Sequence, residues 1–410
     1  MNFTSLFTII LLFSISTFAT TVKVGKSEKI KSITQAVNLA TPGDTVIVSK
    51  GEYFERDIIV PKPLIITGIN LPVINAGGKG SIFLVRSSGV KIIGFRLINS
   101  EVGYKFENAA IRLEEVSNCS VENNDLYNNF FGVYLQRTTS IKVLNNKIHS
   151  FAKSETNSGN GIHLWNCDSI QIIGNKISGH RDGIYLEFSK HNLIRSNSAK
   201  NNIRYGLHFM FSDDCSYIKN RFSENGAGVA VMYSSKIEMV ENLFFENKGT
   251  ASYGLLLKDI NQSHVSKNTF SGNTKGIYME ASGRSVIEKN IFVKNGWAID
   301  LMANSMDNQF TENSFYSNNF DVATNSKQNF NTFSKNYWDN YAGYDLNKDG
   351  YGDVPYHPVS LFSVIVTEYK PSLILMRGLF TKMLDIAERV FPSLTPKQLI
   401  DEKPMMRRIG

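Results

Sequence analysis

The sequence predicts an all-β chain, one long parallel β-helix solenoid with a helix at its N-terminal end and a helical extension at its C-terminal end. Three observations carry this prediction. An asparagine recurs at Asn124, Asn146, Asn175, Asn197, Asn220, Asn242, Asn268, Asn290, Asn313 and Asn336, at intervals of 22, 29, 22, 23, 22, 26, 22, 23 and 23 residues. An apolar or aromatic residue stands three places before each, from Val121 to Phe333. Another usually stands two places after, from Leu126 to Trp338, with Ala199 as the small exception. Eight residues after most of these asparagines a run begins with Gly and alternates apolar with variable residues, as in Gly132-Val-Tyr-Leu-Gln, Gly183-Ile-Tyr-Leu-Glu and Gly276-Ile-Tyr-Met-Glu. Alternation of period two marks strands. Short strands with no helical pattern between them satisfy their backbones by pairing with equivalents one coil away, about 4.8 Å along the axis. The asparagines then form a ladder of stacked amides at one corner.

Composition agrees with a folded solenoid. Of the 410 residues 42% are hydrophobic and 20% charged, as in globular chains. The formal charge of +7 comes from 44 Lys and Arg against 37 Asp and Glu, with no run of five or six basic residues, so no nucleic-acid partner is expected. Three cysteines, Cys119, Cys167 and Cys215, are too few and too odd in number for a disulfide framework.

Taken from the start, residues 1–20 read as a signal peptide. An apolar stretch over residues 6–15 precedes Thr17-Phe18-Ala19, which fits the small-residue pattern of a cleavage site. The lack of Lys or Arg before it leaves a short uncleaved anchor open, although the apolar run is shorter than the roughly 18 residues of a spanning helix. Residues 21–60 hold an N-terminal cap and first strands, with helical spacing from Ile30 to Ala40 and a turn at Pro42-Gly43-Asp44. Residues 61–336 are the repeats. Two coils are longer at the same corner: Asn146 to Gly161 spans 15 residues and Asn242 to Gly254 spans 12, against the usual eight. Insertions of this kind border the working face of repeat proteins.

Residues 337–370 contain Asp345, Asn347, Asp349 and Asp353, oxygen ligands at alternate positions of a Gly-containing loop, as in a calcium site. Tyr356 stands where a bidentate Glu is needed, so the loop reads either as a structural Ca²⁺ site or as an Asx-rich turn. Residues 371–410 form an amphipathic tail. A helix from Pro371 to Phe391 places Leu375, Leu379, Met383, Ile386 and Val390 on one face, with Arg377, Lys382, Asp385 and Glu388 off it. It either closes the open end of the solenoid or docks on a partner.

In the Gly-started strands the second and fourth residues after Gly point outward and stack into stripes. Read down the coils these are Tyr134/Gln136, His163/Trp165, Tyr185/Glu187, His208/Met210, Ala230/Met232, Leu256/Lys258 and Tyr278/Glu280. His208, Met210 and Met232 lie within one coil, and imidazole with thioether suits Cu(I). His163 lies two coils away. The same stripe, with Trp165, Tyr185 and Glu187, also reads as a protein-docking face. An enzyme reading has its best cluster in Arg181, Asp182, Glu187 and Arg204, without a second carboxylate at a recognisable spacing and without an Asp-Pro-His-Asp motif. A secreted polysaccharide-active enzyme and an adhesion solenoid are the alternatives on this scaffold.

The ordered series Asn160-Gly-Ile-His-Leu-Trp-Asn-Cys, His180-Arg-Asp-Gly-Ile-Tyr-Leu-Glu-Phe-Ser, Arg204-Tyr-Gly-Leu-His-Phe-Met-Phe and Gly228-Val-Ala-Val-Met-Tyr-Ser resembles the NosD family, as does the Tyr337-Trp-Asp-Asn-Tyr segment up to Tyr356. The resemblance implies a right-handed β-helix in the periplasm that is not itself an enzyme. It implies work beside an ABC-type permease and ATPase, which assemble the copper–sulfide centre of nitrous oxide reductase, and contact with a copper-donor lipoprotein. On that reading the His163-to-Met232 stripe faces the copper donor or the reductase, and residues 373–391 seat the protein on the permease. The chain has no Walker-type loop, so ATP coupling belongs to the partners.

Overall fold

The computed structural model describes residues 19–408 except 152 and 377, and no side chain at 385, 389 or 392. The expected leader therefore lies outside the described residues but for its last two positions, and so do the off-face positions of Arg377 and Asp385. Three parallel sheets of 14, 12 and 13 strands run the length of the solenoid, and every coil but the first and last contributes one short strand to each. The pairing is in register from coil to coil: Val121 with Val143, Leu126 with Ile148, Leu135 with Leu164. Each strand turns one apolar residue, or two in the longer ones, into a single shared core.

Aromatic residues stack within that core. Phe222, Phe244, Phe270, Phe292, Phe315 and Trp338 follow one another at centroid separations of 5.6, 4.5, 4.9, 4.8 and 4.2 Å. The repeating Gly has an equally physical cause. A Cβ at Gly132, Gly161, Gly183, Gly206, Gly228, Gly254 or Gly276 would lie 2.4–2.7 Å from a carbonyl oxygen of the next coil, so the backbones there pass too close for any side chain.

All ten predicted asparagines form one ladder. Each but the last, Asn336, donates Nδ2 and its backbone N–H to the Oδ1 of the next, as Asn124 does to Asn146 at 3.1 and 3.0 Å, and donates again to a backbone carbonyl. The residue before each ladder position turns the corner in the left-handed region, as at Asn123, Asn145, Lys219, Glu241 and Lys335, with φ between 53 and 57°. Such a conformation costs about 1 kcal/mol per non-Gly residue, which the amide ladder offsets.

A second ladder, five residues after the first, runs through Asn202, Asn225, Asn247, Asn273, Asn295 and Asn318. His180 occupies the position before Asn202. Its backbone N–H donates to Asn202 Oδ1 at 3.2 Å, but neither ring nitrogen has a hydrogen-bond partner and the ring is fully buried. Burial holds its pKa down to about 3. The folded state therefore resists protonation that the unfolded chain accepts near pH 6.5. This stability is fully present above that pH and is lost as pH falls toward 3. We expect His180→Asn to rejoin the ladder and to remove about 2 kcal/mol of the loss between pH 6.5 and 5, read from urea midpoints at the two pH values. Equal acid sensitivity in both proteins would rule this out.

Near the N-terminus α1, Ile33–Leu39, is capped by Ser32 and buries Ile33, Ala36 and Val37 in the core. It is shorter than the Ile30 to Ala40 span of helical spacing. The C-terminal region departs further from the prediction. The expected helix from Pro371 to Phe391 is two pieces, a 3₁₀ segment Lys370–Leu375 with Pro at its start and α3, Leu379–Val390, which begins at Gly378. An additional helix, α2 (Leu361–Glu368), packs Phe362 and Val366 against Phe320 of the last coils. The chain then returns. Residues Asp401 and Met405 bridge to Phe333 and Tyr337, laying the tail over the final coil. Asp401, fully buried, accepts from Asn336 N, Asn336 Nδ2 and Trp338 Nε1, each at 3.0 Å, and so ends the first ladder.

Candidate functional site

The outward side of the 12-stranded sheet carries the stripes expected from the sequence. Tyr134, His163, Tyr185, His208 and Ala230 are successive register partners, as are Gln136, Trp165, Glu187, Met210, Met232 and Lys258. Part of this side is covered. The insertion before Gly161 contains a 3₁₀ turn, Glu155–Asn157, and meets a further insertion over residues 99–108. Tyr104 Oη of that segment donates to Ser158 O at 2.7 Å or Glu155 O at 3.0 Å and accepts from Arg181 Nη1 at 3.2 Å. The sequence reading missed this insertion because Phe95, rather than Asn, holds the ladder position of its coil, where its N–H donates to Asn124 Oδ1.

The structure divides the four residues considered for copper. His163 is separated from His208 by the Tyr185 ring, at 4.9 Å from the first and 5.0 Å from the second. Its Nδ1 faces Asn160 Nδ2 at 3.0 Å, and burial lowers its pKa to about 3, so it is a neutral ring. His208 leans toward the start of its strand, with Nδ1 3.7 Å from Asp182 Oδ2, and sits against Tyr205 and Tyr185. Met210 lies at the other end of that strand, beside Met232. The two thioethers are thus neighbours on a half-buried edge, and His208 belongs to a different group. Among the described residues no three His, Cys, Asp or Glu converge as ligands for one ion. Trp165 lies under the Arg137 guanidinium at 5.5 Å, between Gln136 and Glu187.

Next to Met210 and Met232 runs an aromatic row absent from the sequence-based candidates. Phe188, Phe211 and Tyr233 stack at 5.3 and 5.0 Å, are 48, 41 and 42% exposed, and have φ of 50, 48 and 52°. Bulky aromatics are disfavoured in that conformation. Their signal in the sequence is an aromatic five residues after three successive strand glycines.

Asp182 is the centre of the second group. It is fully buried, one residue before Gly183, with Arg181 Nε 3.6 Å from its Oδ2 and Arg204 Nε 3.9 Å from its Oδ1. Arg204 Nε is also 3.9 Å from Glu155 Oε2 of the insertion. Arg181 and Arg204, noted in the sequence, come together here, whereas Glu187 points along the methionine stripe. Asn160 and Tyr205, register neighbours of Asp182 along the axis, complete the group.

At the far end of the same sheet α3 turns its apolar side outward. Leu379, Met383, Ile386 and Val390 are 77, 61, 61 and 62% exposed, and Leu375 of the preceding turn is also exposed, while Leu384 packs toward Phe320. The face anticipated for closing the solenoid is therefore bare, and the tail around Asp401 lies over the last coil instead. In the acidic loop Asp345 accepts from the Asp349 and Gly350 N–H groups, Asn347 Oδ1 from Asp349 N, Asp349 from Tyr351 N, and Asp353 from Leu346 N. These oxygens brace an exposed turn. The three cysteines are buried and unpaired. No helix among the described residues is long and apolar enough to cross a membrane.

Comparison with known proteins places this geometry. A family model described as periplasmic copper-binding protein (NosD) matches residues 144–343, and one described as a protein of unknown function (DUF1565) matches residues 20–242. Two relatives are each called a probable ABC transporter binding protein NosD. The one from Pseudomonas aeruginosa is 28% identical over 88% of this chain and 87% of its own. The other, from Stutzerimonas stutzeri, is 28% identical over 87% and 85%. The crystal structure of the Dettilon tailspike protein superposes with a TM-score of 0.59 at 11% identity, covering 72% of this chain and 65% of that one, a likeness of fold alone. With a parallel solenoid of this repeat, the chain belongs to the family described as a protein of unknown function (DUF1565), whose model spans more than half of it, and it is similar to NosD proteins through residues 144–343 and through relatives of that name aligned over most of its length.

Proposed function

We propose that this chain is a periplasmic, non-catalytic accessory protein that docks on an ABC-type permease with its ATPase and presents copper for the copper–sulfide centre of nitrous oxide reductase. The observation that carries the reading is the bare apolar face of α3. Four large apolar side chains more than 60% exposed on one helix face are what a partner surface covers. The names of the relatives, each a probable ABC transporter binding protein, support an ABC transporter as that partner. The tagged chain drawn from membranes is expected to bring a permease and an ATPase with it. A chain that purifies alone overturns the docking half of the proposal.

Copper is the cargo in this reading. Met210 and Met232 are the soft ligands available to a donor at the surface, five and four coil rises (about 24 and 19 Å along the axis) from the coil on which α2 rests. A copper-donor lipoprotein would approach this edge, where Phe188, Phe211 and Tyr233 supply an apolar rim. Anaerobic Cu(I) titration against a chromophoric competitor should show uptake that weakens at least tenfold when Met210 and Met232 are both changed to leucine, and stays unchanged in His163→Ala. Equal uptake by the leucine variant would remove the thioether pair from the path of copper.

A further inference from the structure

The Asp182 group is not used by that reading, and its chemistry points elsewhere. Five of its buried polar atoms lack a hydrogen-bond partner in the protein: Asp182 Oδ2, both ring nitrogens of His208, Arg181 Nε and Asn160 Oδ1. Asp182 and Asn160 are fully buried and His208 is 5% exposed. Buried polar groups are almost always satisfied, because each one left unmade costs about 1–3 kcal/mol. Here the unmade bonds converge. Asp182 Oδ2 stands 3.7 Å from His208 Nδ1 and 3.6 Å from Arg181 Nε, spacings that a single ligand oxygen can bridge.

Charge restricts what the ligand is. A bare cation is opposed by two guanidinium groups within 4 Å of the one carboxylate, and a simple anion is opposed by Asp182 at the centre. What remains is a molecule with hydroxyl donors for Asp182 and Asn160 and a carboxylate for the arginines, which Arg204 can grip with its fork. Ring faces are in place as well. Tyr185 and Tyr205 flank His208, and the sheet continues down the axis with Tyr253, Lys275 and Trp297 as register partners. Lys275 Nζ lies over the Tyr253, Tyr278 and Trp297 rings at 5.5, 4.9 and 5.8 Å. Beyond Tyr205, past the buried Ala227 of the next coil, this row of rings around Lys275, which also pairs with Asp300, is spaced by a coil rise of ~4.8 Å, close to the length of a pyranose ring, and matches an extended saccharide.

We infer that this face binds an acidic saccharide. One carboxylated sugar residue sits at Asp182, His208, Arg181 and Arg204, and its chain follows the aromatic row. The site is separate from the methionine edge, so it stands or falls independently of copper.

Calorimetric titration of the full exported chain tests the inference with three probes: a uronate hexasaccharide, a neutral hexose hexasaccharide, and a muropeptide bearing the carboxylated sugar of the cell wall. At least one acidic probe should bind, at least tenfold more tightly than the neutral one. Its affinity should fall at least tenfold in Arg204→Ala and in Asp182→Asn, both still folded by circular dichroism at the titration temperature, and stay constant in Met210→Leu. Preference for the uronate identifies a free polysaccharide as the source, and preference for the muropeptide identifies the wall. Absence of heat with both acidic probes, or equal affinity in both site variants, would overturn it.

Discussion

Asp401→Ala is expected to loosen the last coils of the solenoid by about 3–5 kcal/mol. Three buried donors, Asn336 N, Asn336 Nδ2 and Trp338 Nε1, converge on one carboxylate oxygen, and each donor left without an acceptor costs about 1–3 kcal/mol. Asp401→Asn keeps an oxygen in place and should cost less than half as much. Because coils of a solenoid touch only their neighbours, the damage is local. Hydrogen exchange read by mass spectrometry should therefore accelerate about a hundredfold or more over residues 309–339 and not at all over residues 45–100. Acceleration of both segments together, or of neither, would show that Asp401 does not hold the end.

The second large effect is on partner binding. Met383 and Ile386 are each 61% exposed and touch no core cluster, so changing both to glutamate leaves stability within about 0.5 kcal/mol for each site. Retention of the permease and ATPase on the tagged chain should nevertheless fall at least tenfold, because two charges would enter the centre of an apolar interface. A parallel change of Leu384, which packs toward Phe320, should release α2 and α3 from the last coils and serves as the contrasting control. Full retention by the glutamate variant would mean that α3 faces solvent in the assembly.

The solenoid was readable because its determinants recur at fixed offsets. The ladder asparagines, the strand glycines and the outward stripes all stand where the period put them, since a register that repeats every coil leaves one answer for each position. What escaped was whatever breaks the repeat or closes it from afar. Phe95 in a ladder position hid the insertion that delivers Tyr104, and His180 in a ladder position hid the second row of amides. Asp401 lies 65 residues from Asn336, beyond any local pattern. Period two assigned His208 and Met210 to one side of the sheet, but it carries no information on which way a ring leans. His208 turned to Asp182, and the proposed ligand set divided. The interrupted helix was foreshadowed by Pro371 and Gly378, residues that the apolar spacing of the segment overrode in the reading.

Every amide of the ladder points the same way, its N–H toward the coil that comes next in the chain. The ladder is therefore polar: one end of the stack offers acceptors and the other offers donors, so a solenoid cut at any coil leaves unmet N–H groups on its forward face. The final pair of donors is met only by residues beyond the helices, which fold back to supply the oxygen.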